Sequence, residues 1–117
     1  MQTLLVLHII DYPIFYGYNN YVNVDDIELE WDETKRQQNL KDRGLDFMLA
    51  RYVLSDPNMV RRIDNRRNYK ETRYIAYGMV QDDILCLCYT MRGKVYRVIS
   101  LRQTHEKERK KHYGKDC

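Results

Sequence analysis

Between Glu28 and Gly44 the chain is almost wholly polar, interrupted only by Leu29, Trp31 and Leu40. Leu29 and Trp31 alternate with glutamates, as in a short strand, and Trp31-Asp32 reads as the turn out of it. Asp32 stands where a helix N-cap belongs, and Glu33 follows in the first turn, where the helix dipole favours negative charge. Gly44 is placed to end that helix in a left-handed conformation. With Leu40 as its one large apolar residue, the helix has no broad stripe to bury. Trp31, Leu45 and Phe47 must therefore pin its ends, leaving Lys35, Asn39, Asp42 and Arg43 along one face.

The apolar period then changes. Asp46 is positioned to cap a second short helix with a Phe47, Ala50, Val53, Leu54 stripe, and Ser55-Asp56-Pro57-Asn58 is a stop signal. Strand-like runs follow at Met59–Ile63, Thr72–Met79, Ile84–Thr90 and Lys94–Leu101. The connections Gln81-Asp82-Asp83 and Met91-Arg92-Gly93 are short and polar, so the last three strands should form an antiparallel meander. Ile84-Leu85-Cys86-Leu87-Cys88 is apolar at consecutive positions and predicts a central strand covered on both faces. The charged run Glu106–Lys111 predicts a terminal helix. The fold class expected is α+β, with two N-terminal helices packed on an antiparallel sheet and a C-terminal helix.

Residues 1–26 stand apart as an N-terminal extension. The run Leu4–Ile10 is too short to cross a bilayer, is broken by His8, and lacks the basic flank and small-residue cleavage site of a secretory signal. An extra edge strand, a contact segment, and residues upstream of the true start codon all remain open readings. Residues 27–113 form the expected domain, with 114–117 a tail.

At 117 residues with 44% apolar content, the chain is long enough for one domain with a real core. Its net charge of +3 hides an asymmetry. Residues 1–60 carry 5 Lys/Arg against 10 Asp/Glu, and residues 61–117 carry 15 against 7. A basic second half suits a polyanion or an acidic protein partner, unless the two halves neutralise one another on folding. Cys86, Cys88 and Cys117 make no disulfide framework, and reduced thiols in a cytoplasm are the simple reading. No metal site or cofactor is expected, since His105 and His112 are not obviously near the cysteines.

Several of these stretches resemble one known family. Leu29-Glu30-Trp31-Asp32-Glu33-Thr34-Lys35, with Asn39 and Gly44, is similar to the opening of BrnT toxins. The segment from Asp64 to Arg73, with Tyr69, Glu71 and Arg73 at alternate positions, resembles that family's middle. Tyr89-Thr90-x-Arg92-Gly93, then Arg97-Val98-Ile99-Ser100-Leu101-Arg102, then Glu108-Arg109, resembles its ending. The likeness covers roughly residues 28–113. It implies a RelE-like fold, a toxin that cleaves RNA, and a BrnA-type antitoxin that neutralises it and supplies the DNA-binding part. Two positions depart from the pattern. Asp42-Arg43-Gly44 stands where the family has Lys-His-Gly, and His112, followed by Tyr113, stands where it has a tyrosine.

Metal-independent RNA cleavage needs a base for a 2′-hydroxyl, an acid for the leaving oxygen, and cations for the crowded phosphorane. Arginine suits the last task, because its planar fork grips phosphate and stays charged. Arg97 and Arg102, with Lys35 as a point charge, are the candidate catalytic cations, and Glu71 is the candidate carboxylate base. Arg43, Arg73, Arg92, Arg109 and Tyr113 are candidate RNA contacts. Glu71 and Arg73 have an alternative role as a simple ion pair, which would keep the carboxylate a poor base. Arg97 and Arg102 fall on opposite faces of a strictly alternating strand, leaving one of them structural. Ser100 has no base in sight, and His105 and His112 read as solvent-facing. Arg43 cannot replace a histidine that transfers protons, but it serves as well where the task is to hold a phosphate or a carboxylate.

The leading expectation is a cytoplasmic, metal-independent endoribonuclease toxin on a RelE-like scaffold. Its partners would be RNA and a BrnA-type antitoxin, with DNA reached only through the antitoxin and no membrane involved. The alternative is a catalytically degenerate member that only binds antitoxin or nucleic acid. A DNA-binding regulator finds no helix-turn-helix pattern in its support.

Overall fold

The computed structural model describes residues 23–113; the Leu4–Ile10 run and Cys117 lie outside them, and with them the readings of the N-terminal extension and the tail. After a short 3-10 turn at Val24–Asp26 come β1 (Leu29–Trp31), α1 (Glu33–Arg43), a 3-10 turn (Phe47–Leu49) and α2 (Ala50–Ser55). Four strands follow, β2 (Val60–Ile63), β3 (Arg73–Val80), β4 (Asp83–Arg92) and β5 (Val95–Gln103), and then α3 (Glu106–His112). The sheet order is β1-β5-β4-β3-β2.

The α+β class holds, with one correction: the sheet is mixed. β1 precedes both helices and pairs in parallel with β5, Leu29 opposite Tyr96 and Trp31 opposite Val98. The meander β3-β4-β5 is antiparallel as expected, and β2 extends it on the far side. A parallel partner lying more than sixty positions away leaves no local mark on a three-residue strand.

The inner face of the sheet packs against the Phe47–Leu49 turn and α2, while α1 lies along the β5 edge, so two N-terminal helices packed alike on the sheet are not what the chain forms. Ala76, Val80, Leu85, Leu87, Tyr89, Val98 and Leu101 point to the inner face, meeting Phe47, Leu49, Val53 and Leu54. Helix α2 lies so close to β3 that a Cβ at Gly78 would come within 2.6 Å of the Val53 carbonyl oxygen. The outer face carries a smaller cluster, Ile75, Tyr77, Ile84 and Cys86, with Tyr113 packed on it. β4 is thus covered on both faces, as its unbroken apolar run requires.

α1 stays on the molecule by polar ties. Asp32 accepts from the Thr34 and Lys35 N–H groups, and Gly44, at φ 72°, ends the helix. Arg36 binds Asp46 through two hydrogen bonds of 3.1 and 2.8 Å. Asn39 is the only buried residue of the helix. Its amide donates to the Leu45 carbonyl at 3.0 Å, and its Oδ1 accepts from the Leu101 N–H at 3.4 Å. The three-residue β1 leaves this part of the β5 edge without a strand partner, and the helix side chains supply the bonds instead.

Candidate functional site

A bulge decides where the arginines of β5 lie. Cys88 pairs with Ser100 and Tyr89 with Val98, so Ile99 is an extra residue with no partner on β4. Alternation slips by one position there. Val98 and Leu101 both face inward, while Arg97 and Arg102 both face outward. The expectation that they lie on opposite faces is corrected by this one residue.

On the outer face the register sets Glu30, Arg97, Thr90 and Arg73 in a row across β1, β5, β4 and β3. Arg92 lies on the same face, two residues beyond Thr90, exposed and without a side-chain partner among the described residues. Strands spaced about 4.8 Å apart put the Arg73 and Arg97 backbones about 10 Å from each other. Arg102 lies opposite Cys86, four positions along β4 from Thr90, or about 13 Å. The three arginines share one surface but do not meet at one point, which suits a chain of phosphates better than a single one.

Each of the three has a carboxylate partner. Arg97 donates to Glu30 at 3.0 Å, and Arg73 to Glu71 at 3.1 Å. Arg102 forms a forked pair with Glu108, at 2.9 and 2.6 Å. Tyr77 adds its hydroxyl to the same carboxylate at 3.3 Å. The Arg102 guanidinium, more than any other influence, pulls the Glu108 carboxyl down to about 2. The first two pairs are exposed enough to be worth about 0–1 kcal/mol each, so an arriving phosphate displaces the carboxylate at little cost. The forked Arg102 pair resists exchange more strongly.

The remaining predicted positions are dispersed. Lys35 is exposed on α1, one turn before Asn39. Arg43 donates to the Leu101 carbonyl at 3.2 Å and to Asn39 Oδ1 at 3.3 Å, so it closes the β5 edge instead of lying on the outer face. Arg109 donates to the Thr104 carbonyl at 3.3 Å, across the start of α3. Tyr113 donates its hydroxyl to Asp56 at 2.6 Å and anchors the end of α3. His105 is exposed and caps α3 through Nδ1. His112 departs from the solvent-facing expectation, because its ring stacks on Tyr77 at 4.9 Å.

Sequence reasoning missed Glu30, Glu108, Asp64 and Tyr69 as partners of the arginines. Glu30 and Glu108 meet theirs only through tertiary pairing. Asp64 was legible in principle, since Arg66 and Tyr69 follow it two and five residues later within one loop. Burial pushes the Cys86 and Cys88 thiols upward, so neither is a ready nucleophile. Among the described residues no group of three or more His, Cys, Asp or Glu side chains is arranged to hold a metal ion. Nor is any helix among them long and apolar enough to cross a membrane.

No curated protein matches the chain. The model of a family described as "Ribonuclease toxin, BrnT, of type II toxin-antitoxin system" matches residues 31–108, from the end of β1 to the middle of α3. Matched over well more than half its length, the chain belongs to the BrnT family, the ribonuclease toxins of type II toxin–antitoxin systems.

Proposed function

We propose that this chain is a metal-independent endoribonuclease that inhibits translation in the cytoplasm, and that the outer face of its sheet is the RNA surface. The observation that carries the reading is the row Glu30–Arg97–Thr90–Arg73, with Glu71 beside Arg73. Arg97 and Arg73 exchange their weak carboxylate partners for phosphate oxygens and stabilise the charge that builds on the phosphorane. As Arg73 exchanges its Glu71 bond for the phosphate, the freed Glu71 carboxylate takes the 2′-hydroxyl proton. The 2′-oxygen bonds to phosphorus as the bond to the 5′-oxygen breaks, and that leaving oxygen takes a proton from water. Arg92 and Arg102 continue the cationic track on either side, Arg102 only after Glu108 gives way. Lys35, Arg43 and Arg109 contribute positive charge from the margins, and Tyr113 holds α3 in place.

A BrnA-type antitoxin would silence the enzyme by setting acidic and apolar side chains on the same face, where they compete with RNA for the arginines. DNA is engaged only through that partner.

Cleavage of single-stranded RNA by the purified full-length protein in EDTA tests the proposal. Arg97→Ala should lower the rate by about 10²–10³, as the loss of one charge-stabilising donor does. Glu71→Gln should cost about 10²–10⁴, as the loss of a general base does. Full activity in both variants, or loss of activity in EDTA, overturns it. The ion pairing of Arg73, Arg97 and Arg102 favours one second reading, a chain that binds antitoxin or nucleic acid without cutting. Binding without cleavage anywhere between about pH 5 and pH 9 would select that reading, because a positioned acid or base acts somewhere in that range.

A further inference from the structure

The loop of residues 64–72, between β2 and β3, holds a network of which the proposed chemistry uses only Glu71 and, at its edge, Arg73. Asp64 is 3% exposed. Its carboxylate accepts from Arg66 Nε and Nη2 at 2.7 and 2.8 Å, and from the Arg66 N–H at 3.2 Å. The Tyr69 hydroxyl donates to it at 3.1 Å. Its own N–H donates to the Arg73 carbonyl at 2.8 Å and closes the neck of the loop. The Tyr69 ring is therefore aimed by a buried acid. The Arg73 guanidinium lies over that ring at 4.1 Å from the centroid, and Glu71 ties its Nε.

An aromatic ring and a planar cation are thus stacked and fixed by two carboxylates at the border of the outer face. The Arg73 side chain retains 26% exposure and Tyr69 is partly exposed, so the pair meets solvent at the surface. Arg67 and Lys70 are exposed on the same loop, where phosphates flanking such a group would pass. A loop fastened only for stability needs the Asp64–Arg66 pair. It does not need a ring held beneath a partly exposed strand arginine. Unpaired bases are the planar groups that add to aromatic rings and guanidinium planes in single-stranded RNA recognition.

We infer that the Tyr69–Arg73 stack, at the loop whose neck Asp64 closes, is a seat for one unpaired nucleobase of single-stranded RNA. The inference rests on the reading of the outer face as the RNA surface. It adds that one nucleotide is read by stacking, and is therefore accepted with little regard to base identity.

The test measures binding of a short single-stranded 2′-O-methyl RNA, which cannot be cleaved, to the full-length protein. A single abasic position is moved along the oligomer. With the wild type, one abasic position should weaken binding roughly 5- to 150-fold, the equilibrium equivalent of one base–aromatic stack. Tyr69→Leu should weaken the intact oligomer by a similar factor and make binding indifferent to that abasic position. Tyr69→Phe keeps the ring and should stay within a few-fold of the wild type, which shows that the effect is stacking and not loop stability. A flat abasic scan with the wild type, or a Tyr69→Leu protein still sensitive to the abasic position, overturns the seat while leaving the RNA surface standing. Failure of the wild type to bind the oligomer at all overturns both.

Discussion

Replacing Glu108 by glutamine isolates the strongest ion pair on the outer face. The carboxyl stands at about 2 against an ordinary 4.5, chiefly because of its two hydrogen bonds from Arg102. At 1.36 kcal/mol for each tenfold change in proton affinity, that difference corresponds to about 3 kcal/mol if taken whole. Glu108 is only 11% exposed, but the Arg102 side chain is 40% exposed, and water around the guanidinium screens the pair. About 1–2 kcal/mol is the expected loss near neutral pH, which lowers the melting temperature by about 4–10 °C. The folded value lies below the unfolded one, so the stabilisation is complete above about pH 4.5 and fades as pH falls towards 2. Thermal unfolding of wild type and Glu108→Gln should therefore differ near neutrality and converge at the acid end. Helix α3 stays docked in the variant through Tyr113, which bonds Asp56 at 2.6 Å and packs on the outer cluster. Equal melting temperatures near neutral pH, or a gap that persists undiminished at about pH 2, would refute the reasoning.

Two further substitutions probe the elements that position the site. Gly78→Ala drives a Cβ to 2.6 Å from the Val53 carbonyl oxygen, backbone that cannot swing aside, and should cost about 1–3 kcal/mol in chemical denaturation. Asn39→Ala orphans the Leu101 N–H and the Leu45 carbonyl at the β5 edge and should cost about 1–3 kcal/mol, with hydrogen exchange at Leu101 rising more than at Leu87.

What the sequence made legible was local. Asp32 and Gly44 announced their caps because capping needs only a side chain and the next few backbone groups, whereas Asp46 caps the 3-10 turn that leads into α2 and not the helix itself. The two-sided run from Ile84 to Cys88 announced a central strand for the same reason. The parallel pairing of β1 was hidden, since Leu29 and Trp31 gain their places from residues of β5. The shared face of Arg97 and Arg102 was hidden as well, because strict alternation predicts the opposite and nothing in Val98-Ile99-Ser100 marks the extra residue. The ion pair of Glu71 with Arg73, two residues apart, was legible, but the partners of Arg97 and Arg102 were out of reach, for Glu30 finds Arg97 only through the register between strands.

The unpaired Ile99 makes β5 a strand read in two frames, one before it and one after it. Removing that residue would force one half of the strand to turn over, carrying either the Arg97 guanidinium towards the hydrophobic layer or the Leu101 side chain out to water. Within this family, then, a change of length by one residue at this point should alter the outer face of the sheet more than most substitutions on it. Relatives should be compared by which half of the strand keeps its parity before their arginines are matched by position.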